Sequence, residues 1–168
     1  ANMSTPDDGA RPRMQMFVWQ PPALATLTLQ PGNLTPAVGT AAFGPSSFNL
    51  TANVVLANDG VGPTSDACSA ITNNVTGAIV LVDRGTCTFE SKAVRVQAAG
   101  GVGMILANNA AGGPPALGVD AAITTPPTIP SLSLTQTGGN ALKTQLLGGP
   151  VSATMLRAAA LLRDGSVD

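Results

Sequence analysis

Gly77-Ala78-Ile79-Val80-Leu81-Val82-Asp83-Arg84-Gly85-Thr86-Cys87-Thr88-Phe89 is the stretch from which the rest of the 168-residue chain is read. Residues 78–82 are a continuous apolar run rich in β-branched side chains, the pattern of a strand buried on both faces. Thr88 is placed to cap a following helix. In that helix Phe89, Ala93, Val96 and Gly100 keep helical spacing, with Lys92 and Arg95 expected to point outward. Gly100-Gly101 ends it. Gly103-Met104-Ile105-Leu106-Ala107 is a second continuous apolar strand.

Outward from this unit the elements are short. Residues 25–29, 37–42 and 53–57 read as early strands and 151–156 as the last one. Residues 129–134 alternate Leu132 and Leu134 with Ser131 and Ser133, which predicts a half-exposed strand near an edge. A second helix is predicted over 135–147, with Leu142 and Leu146 facing inward and Gly148-Gly149-Pro150 as the stop. Gly138-Gly139 weakens its first turn by up to about 1 kcal/mol per glycine. In the N-terminal stretch, residues 13–19 read as a strand with Met14, Met16 and Val18 on one face, closed by Pro21-Pro22. At the other end a helical turn is expected over 158–162, before Arg163-Asp164-Gly165. No internal repeat is present. With 19 Gly and 14 Pro, many short elements and few aromatics, the composition predicts a β-rich or α+β domain rather than a helix bundle.

The composition excludes several functions. There is no His, so no Ser-His-Asp triad, no Cys-His pair and no imidazole metal ligand can be built. Tyr is absent and Trp19 is the one Trp, which argues against an aromatic platform for sugars or bases. Eight scattered Lys and Arg, with a net charge of -1, supply no basic stripe for nucleic acid. No apolar run approaches the roughly 18 residues of a membrane span. The first residues carry neither the charged nor the apolar region of a signal peptide.

The candidate chemistry is sparse. Cys68 and Cys87 are either a reactive thiol with a bystander or a disulfide. With no imidazole to act as base the disulfide is the better reading. It implies an oxidising compartment and closes a loop of about 20 residues, for roughly 3 kcal/mol. Asp7-Asp8, Asp59-Gly60 and Asp164-Gly165 read as turns, and Asp59, Asp66, Asp83 and Asp120 are too dispersed for a calcium loop. Gly100-Gly101-Val102-Gly103 precedes a strand instead of opening a helix, so it is not a phosphate loop. Asn2, Asn33, Asn49 and Asn74 each start a glycosylation acceptor pattern.

The Arg84-Gly85-x-Cys87-x-Phe89 core, with Lys92, Gln97-Ala98-Ala99-Gly100, Met104-Ile105-Leu106-Ala107-Asn108-Asn109, Ile129-Pro130-Ser131 and Leu142, resembles the protease-associated (PA) domain over about residues 37–156. Cys68 stands where many members place the disulfide partner of Cys87. Gly101 stands where Ala is usual, and Gly138 where an acidic residue is often found. The resemblance implies an α+β fold, a twisted β-sandwich or open barrel-like domain with two short helices. Residues 8–19 and 163–168 are similar to segments of fungalysin-type zinc metallopeptidases, which in that family flank such an insertion. On this reading residues 1–22 are a host-protease stub, 23–157 the PA domain and 158–168 the return segment before a His-Glu-x-x-His helix.

The resemblance implies a non-catalytic protein- or peptide-interaction module of a secreted metallopeptidase. Its partners would be the host catalytic domain and a protein or peptide substrate. No cofactor is expected in this chain, with zinc in the presumed parent enzyme, and neither nucleic acid nor membrane as partner. Candidate peptide-binding residues are Arg84, Gly85 and Thr86 at the turn, with Asn108 and Asn109 opening the loop opposite. An ion pair from Arg84 to Asp83 or Asp66 is an equal reading for that side chain, core packing is the favoured one for Phe89, and Asn108 and Asn109 are expected to satisfy their own turn. Two other functions compete: a passive spacer that stabilises the host, and a fragment with residual, chelator-sensitive peptidase activity.

Overall fold

Residues 24–159 are described here, from a computed structural model. The expectations for residues 1–22, for the strand at 13–19 and for residues 160–168 lie outside them. Seven strands and two helices follow in the order β1 (Ala25–Gln30), β2 (Val38–Thr40), β3 (Phe48–Leu56), β4 (Ile79–Asp83), α1 (Phe89–Ala98), β5 (Gly103–Ala107), β6 (Ser131–Leu134), α2 (Gln136–Gly148) and β7 (Ser152–Arg157). They form one sheet in the order β1-β7-β3-β4-β5-β6-β2. β3 to β6 are mutually parallel, while β7, β1 and β2 run antiparallel to their neighbours. β1 and β2, the two ends of the order, approach each other, so the sheet curls into a nearly closed barrel. This is the α+β, open barrel-like architecture with two short helices.

The apolar run at β4 explains the layering. Successive side chains of a strand point to opposite faces. Ile79 and Leu81 enter the barrel with Leu27, Leu29, Ile105, Leu132, Leu134, Leu142 and Met155. Val80 and Val82 face outward with Met104 and Leu106, into a second core closed by Ala93 and Val96 of α1 and by Ala67, Val75, Leu117 and Ile129 from the loops. β4 and β5 are therefore covered on both sides, as the unbroken apolar run of 79–82 and of 103–107 requires.

Three expectations need correction. β6 is wholly buried, not half-exposed. Leu132 and Leu134 line the barrel, and the 114–117 segment lies over the other face, where the Ser133 hydroxyl donates to the Pro115 carbonyl at 2.5 Å. β2 takes the edge position beside it. Next, β3 begins five residues before the expected 53. Its period-two pattern puts Phe48, Leu50 and Ala52 against the core while Asn49, Thr51 and Asn53 face solvent. Finally, Lys92 does not point outward. It is fully buried.

Helix α2 closes the barrel. Thr135 caps it, its hydroxyl accepting from the Gly138 amide at 3.0 Å. A β-carbon on Gly139 would collide with Ala107, and its Cα lies 3.2 Å away, so the glycine is what lets α2 settle on β5 and bury Leu142.

The strand directions place the functional ends. Ala25 pairs with Arg157 and Arg157 with Phe48, so the polypeptide enters and leaves the sheet side by side. From Phe48 the strand β3 runs away from that point, and β4 continues parallel to it. At a rise of about 3.3 Å per residue, the turn after Asp83 lies on the order of 30 Å along the strands from the entry and exit point.

Candidate functional site

The carboxyl ends of β4, β5 and β6 and the first turns of α1 and α2 converge at this far end. The Arg84 amide donates to the Ala107 carbonyl at 2.8 Å and the Asn108 amide to the Leu134 carbonyl at 3.1 Å, so the ladder extends one step beyond each strand. Arg84 itself is exposed. Its Nη1 donates to Asn108 Oδ1 at 3.1 Å, and its guanidinium carbon sits 5.6 Å from the centroid of the Phe89 ring. Both contacts orient the planar fork and leave its other donors without a partner among the described residues. The alternative, an ion pair from Arg84 to Asp83 or Asp66, is not formed. Asp83 is taken by Lys143 at 2.5 Å and by the Ser65 hydroxyl at 2.5 Å, and Asp66 accepts from the Cys68 amide at 2.9 Å.

Asn108 is buried and works on its own loop, as expected. Its Oδ1 also accepts from the Asn109 amide at 3.0 Å, and its Nδ2 donates to the Gly113 carbonyl at 3.3 Å. Asn109 is exposed, with its carbonyl accepting from Gln136 Nε2 at 3.2 Å. Thus Arg84, Asn108 and Asn109 come together with Phe89 and Gln136, the last being a wall residue that the sequence reading did not name. Phe89 is partly buried against the outer core while offering its face to Arg84.

Gly85 and Thr86 form the other rim. A β-carbon on Gly85 would meet the Asp66 side chain, with Cβ at 2.9 Å and Cγ at 3.0 Å. The glycine is therefore required for the 58–76 loop to lie against the turn. Cys68 and Cys87 are joined as a disulfide, with no free cysteine among the described residues. The loop it fastens is built on Asp59, whose carboxylate accepts from the Val61 amide at 3.1 Å and the Ser69 amide at 3.0 Å.

Burial pushes the Asp59 carboxyl up, but the Ser69 and Val61 amides outweigh it and hold the group below its ordinary value of 3.8. A carboxyl lowered in the folded state contributes stability that is complete above its unfolded value and lost as pH falls through the folded one. Acidification from about pH 4 to about pH 2 should therefore lower the wild-type unfolding free energy more than that of Asp59→Asn. At neutral pH the variant should be weaker by about 1–3 kcal/mol, because an amide loses its acceptor. Urea unfolding at a series of pH values checks both.

Thr88 holds the cap position of α1 but does not cap it. Its hydroxyl donates to the Asp120 carboxylate at 2.7 Å, and the Asp120 amide donates to the buried Glu90 carboxylate at 2.6 Å. The loop around 120 is clamped to the helix start, a pairing of residues about 30 apart with no local signature. Ala122 and Thr88, both donating to Asp120, keep its carboxyl below 3.8.

Two cavities lie away from this end. One, of about 520 Å³, is lined by Thr51, Asn53, Asn74, Thr76 and Ser152 and opens at the start of β4. The other, of about 300 Å³, lies between α2 and the segment 34–36. Among the described residues no group of three or more His, Cys, Asp or Glu is placed to hold a metal ion, and no helix is long and apolar enough to cross a membrane. Zinc therefore has no ligand set in this part of the chain.

Residues 49–142 match the PA domain family. The chain belongs to that family. The match begins in β3, contains the Arg84 turn, both cysteines and α1, and ends at Leu142, inside α2. The PA domain shares 39% identity over 44 residues with Signal peptide peptidase-like 2 of Arabidopsis thaliana, a stretch that is 26% of this chain and 8% of that protein.

Among solved structures, its fold is similar to that of BSAP, a zinc aminopeptidase from Bacillus subtilis, with a TM-score of 0.62 and 23% identity over 85% of this chain and 32% of that one. An aminopeptidase from Aneurinibacillus sp. strain AM-1 follows with a TM-score of 0.60, at 23% identity over 81% of this chain and 31% of that one. A subtilisin-like protease, Apa1, from the Antarctic psychrotroph Pseudoalteromonas sp. AS-11 is similar with a TM-score of 0.54, at 20% identity over 82% and 33% of the two chains. The PA domain thus spans about a third of each of these chains, and the likeness extends to hosts named for metal-dependent and for subtilisin-like proteolysis. The similarity is not specific to fungalysin-type enzymes.

Proposed function

We propose that this PA domain is a non-catalytic recognition module of a secreted zinc metallopeptidase, in which it receives protein or peptide substrate at the Arg84 turn. The observation that carries the reading is Arg84: an exposed guanidinium, oriented by Asn108 and Phe89, with no carboxylate of its own. A planar fork with donors to spare suits a carboxylate of a peptide. The amides of Gly85 and Thr86, which have no partner among the described residues, point to the same role. They lie just before α1, whose N-terminus favours negative charge.

The topology supports the assignment. Entry and exit of the chain are adjacent at one end of the sheet and the Arg84 turn is at the other. A domain inserted in a host through two neighbouring connections would present this turn away from the junction. Residues 1–22 and 158–168 are then the host's, and zinc and peptide hydrolysis belong to the host's catalytic domain. The disulfide and the peptidase neighbours support an extracellular site of action. Among hosts, the similarity of residues 8–19 and 163–168 favours a fungalysin-type enzyme.

Deleting residues 23–157 from the intact host, with a short Gly-Ser bridge, tests this. The reading expects altered preference between protein substrates while cleavage of a small chromogenic peptide persists. A shift in thermal midpoint alone, with unchanged preference, would leave the domain as a spacer and defeat it.

A further inference from the structure

Among the described residues Lys92 is the largest fully buried side chain, and no role in recognition uses it. Its ammonium donates to the Asp66 carbonyl and lies 3.3 Å from Cys68 Sγ. On the same helix, one turn on, Arg95 Nη1 lies 3.9 Å from Cys87 Sγ while donating to the Ala67 carbonyl at 3.3 Å. The Cys87 amide donates to Cys68 Sγ at 3.2 Å. Cys87 itself sits two residues before α1, where the helix end is positive. Each sulfur of the bridge thus has its own cation, and one has an amide donor as well. Both cysteines are half-buried rather than sealed.

Such surroundings do little for a disulfide, which carries no charge, and much for the thiolates left when it opens. Cations and helix N-termini lower thiol pKa values, and stabilising the reduced form makes a disulfide more oxidising. We propose that Cys68–Cys87 is a thiol-exchange site, in which Lys92 and Arg95 stabilise the reduced dithiol so that an external thiol of the glutathione class can open the bridge.

The attacking thiolate bonds to Cys87 Sγ. The S–S bond breaks and Cys68 leaves as a thiolate, received by the Lys92 ammonium and the Cys87 amide. A second external thiolate then attacks the sulfur of the first, the mixed disulfide breaks, Cys87 leaves as a thiolate beside Arg95, and the two external groups depart as the reagent's own disulfide. The two electrons come from the two external thiols. The charges facing Lys92 include Arg95 and the carboxylates Asp66, Asp59 and Asp83. Burial, with Arg95 beside it, lowers the Lys92 pKa, and Asp66, Asp59 and Asp83 oppose that fall. The consequence is local. Opening the bridge removes the covalent tie between the 58–76 loop and the Arg84-Gly85-Thr86 turn, so reduction acts on the rim of the recognition site.

The test uses the full chain in mixtures of reduced and oxidised glutathione, with acid trapping and mass spectrometry to count thiols. Thiolate absorbance near 240 nm is followed against pH in the reduced form. The expected result is an equilibrium constant for reduction about tenfold larger in wild type than in Arg95→Met or Lys92→Met, the change that one unit of thiol pKa produces. At least one thiol should titrate below the free-cysteine value of about 8.5 in wild type. Arg95 is half-exposed, so its variant decides the matter if Lys92→Met fails to fold. Equal equilibria in wild type and Arg95→Met, with both thiols near 8.5, overturn the proposal. So does global unfolding on reduction. Peptide binding is not read in this experiment, so its failure leaves the function of the Arg84 turn where it stood.

Discussion

Replacing Leu142 with alanine should cost about 3 kcal/mol and lower the thermal midpoint by roughly 10 °C. Leu142 is fully buried and is the α2 residue that reaches the barrel core beside Leu27, Leu29, Leu134 and Met155. Truncation removes its own apolar surface and leaves a hole that the neighbours cannot close, because β1, β6 and β7 are fixed by their ladders. The cavity between α2 and residues 34–36 already borders this side chain, so the helix has no tight packing on its outer side to compensate. Urea unfolding of wild type and variant measures the loss. A cost below about 1 kcal/mol would mean that α2 is not part of the cooperative core.

The second large effect is expected from the cysteines. Replacing both Cys68 and Cys87 with alanine should destabilise by about 3 kcal/mol, the chain-entropy value for a closed loop of this size. The loss should also be local. With the staple gone, the 58–76 segment keeps its Asp59 contacts, the hydrogen bonds of Ser65 to Asp83, Lys92 to the Asp66 carbonyl and Arg95 to the Ala67 carbonyl, and its packing through Ala67 and Val75, but loses its covalent tie to the turn. Amide exchange should rise at residues 65–69 and 84–86 while β4 and β5 stay protected. Calorimetry with hydrogen exchange checks both parts. A midpoint unchanged by the double replacement would show that the loop is held by its other contacts alone.

Where the sequence could be read, one kind of residue decided it. β4 and β5 are legible because 79–82 and 103–107 are apolar without a break, and a strand covered on both sides is built that way. The Arg84 turn followed from the Arg-Gly-x-Cys-x-Phe pattern, and the disulfide from two cysteines with no histidine to activate either. β3 is legible only in part, since its outward residues Asn49, Thr51 and Asn53 resemble turn chemistry and their pairing partners on β7 lie about 100 residues away. β6 looked half-exposed because a serine in a strand normally faces water, and nothing local announces that residues 114–117 fold over it.

The charge of Lys92 conceals its place in the core. Its position was informative: Phe89, Lys92, Ala93 and Val96 occupy the i, i+3, i+4, i+7 stripe, which is the buried face of a helix. Spacing outweighed residue type here, because the Asp66 carbonyl and the nearby carboxylates compensate the ammonium that burial would otherwise exclude. Gln136 and the Thr88–Asp120–Glu90 clamp had no such signal. They depend on contacts between residues roughly 30 apart, which only the folded chain reveals.

Recognition is placed at the end of the sheet that carries Arg84. Its most direct test is a nitrogen-15 NMR titration of the chain with unfolded protein and with short peptides that carry a free carboxylate, repeated on Arg84→Ala. Saturable shifts are expected at Arg84, Gly85, Thr86, Asn108 and Asn109, with little change at Ala25 or Arg157, and Arg84→Ala should weaken binding about tenfold or more, the share of one charge-assisted contact. An unchanged spectrum around Arg84 and Asn108 with every peptide tried would contradict it.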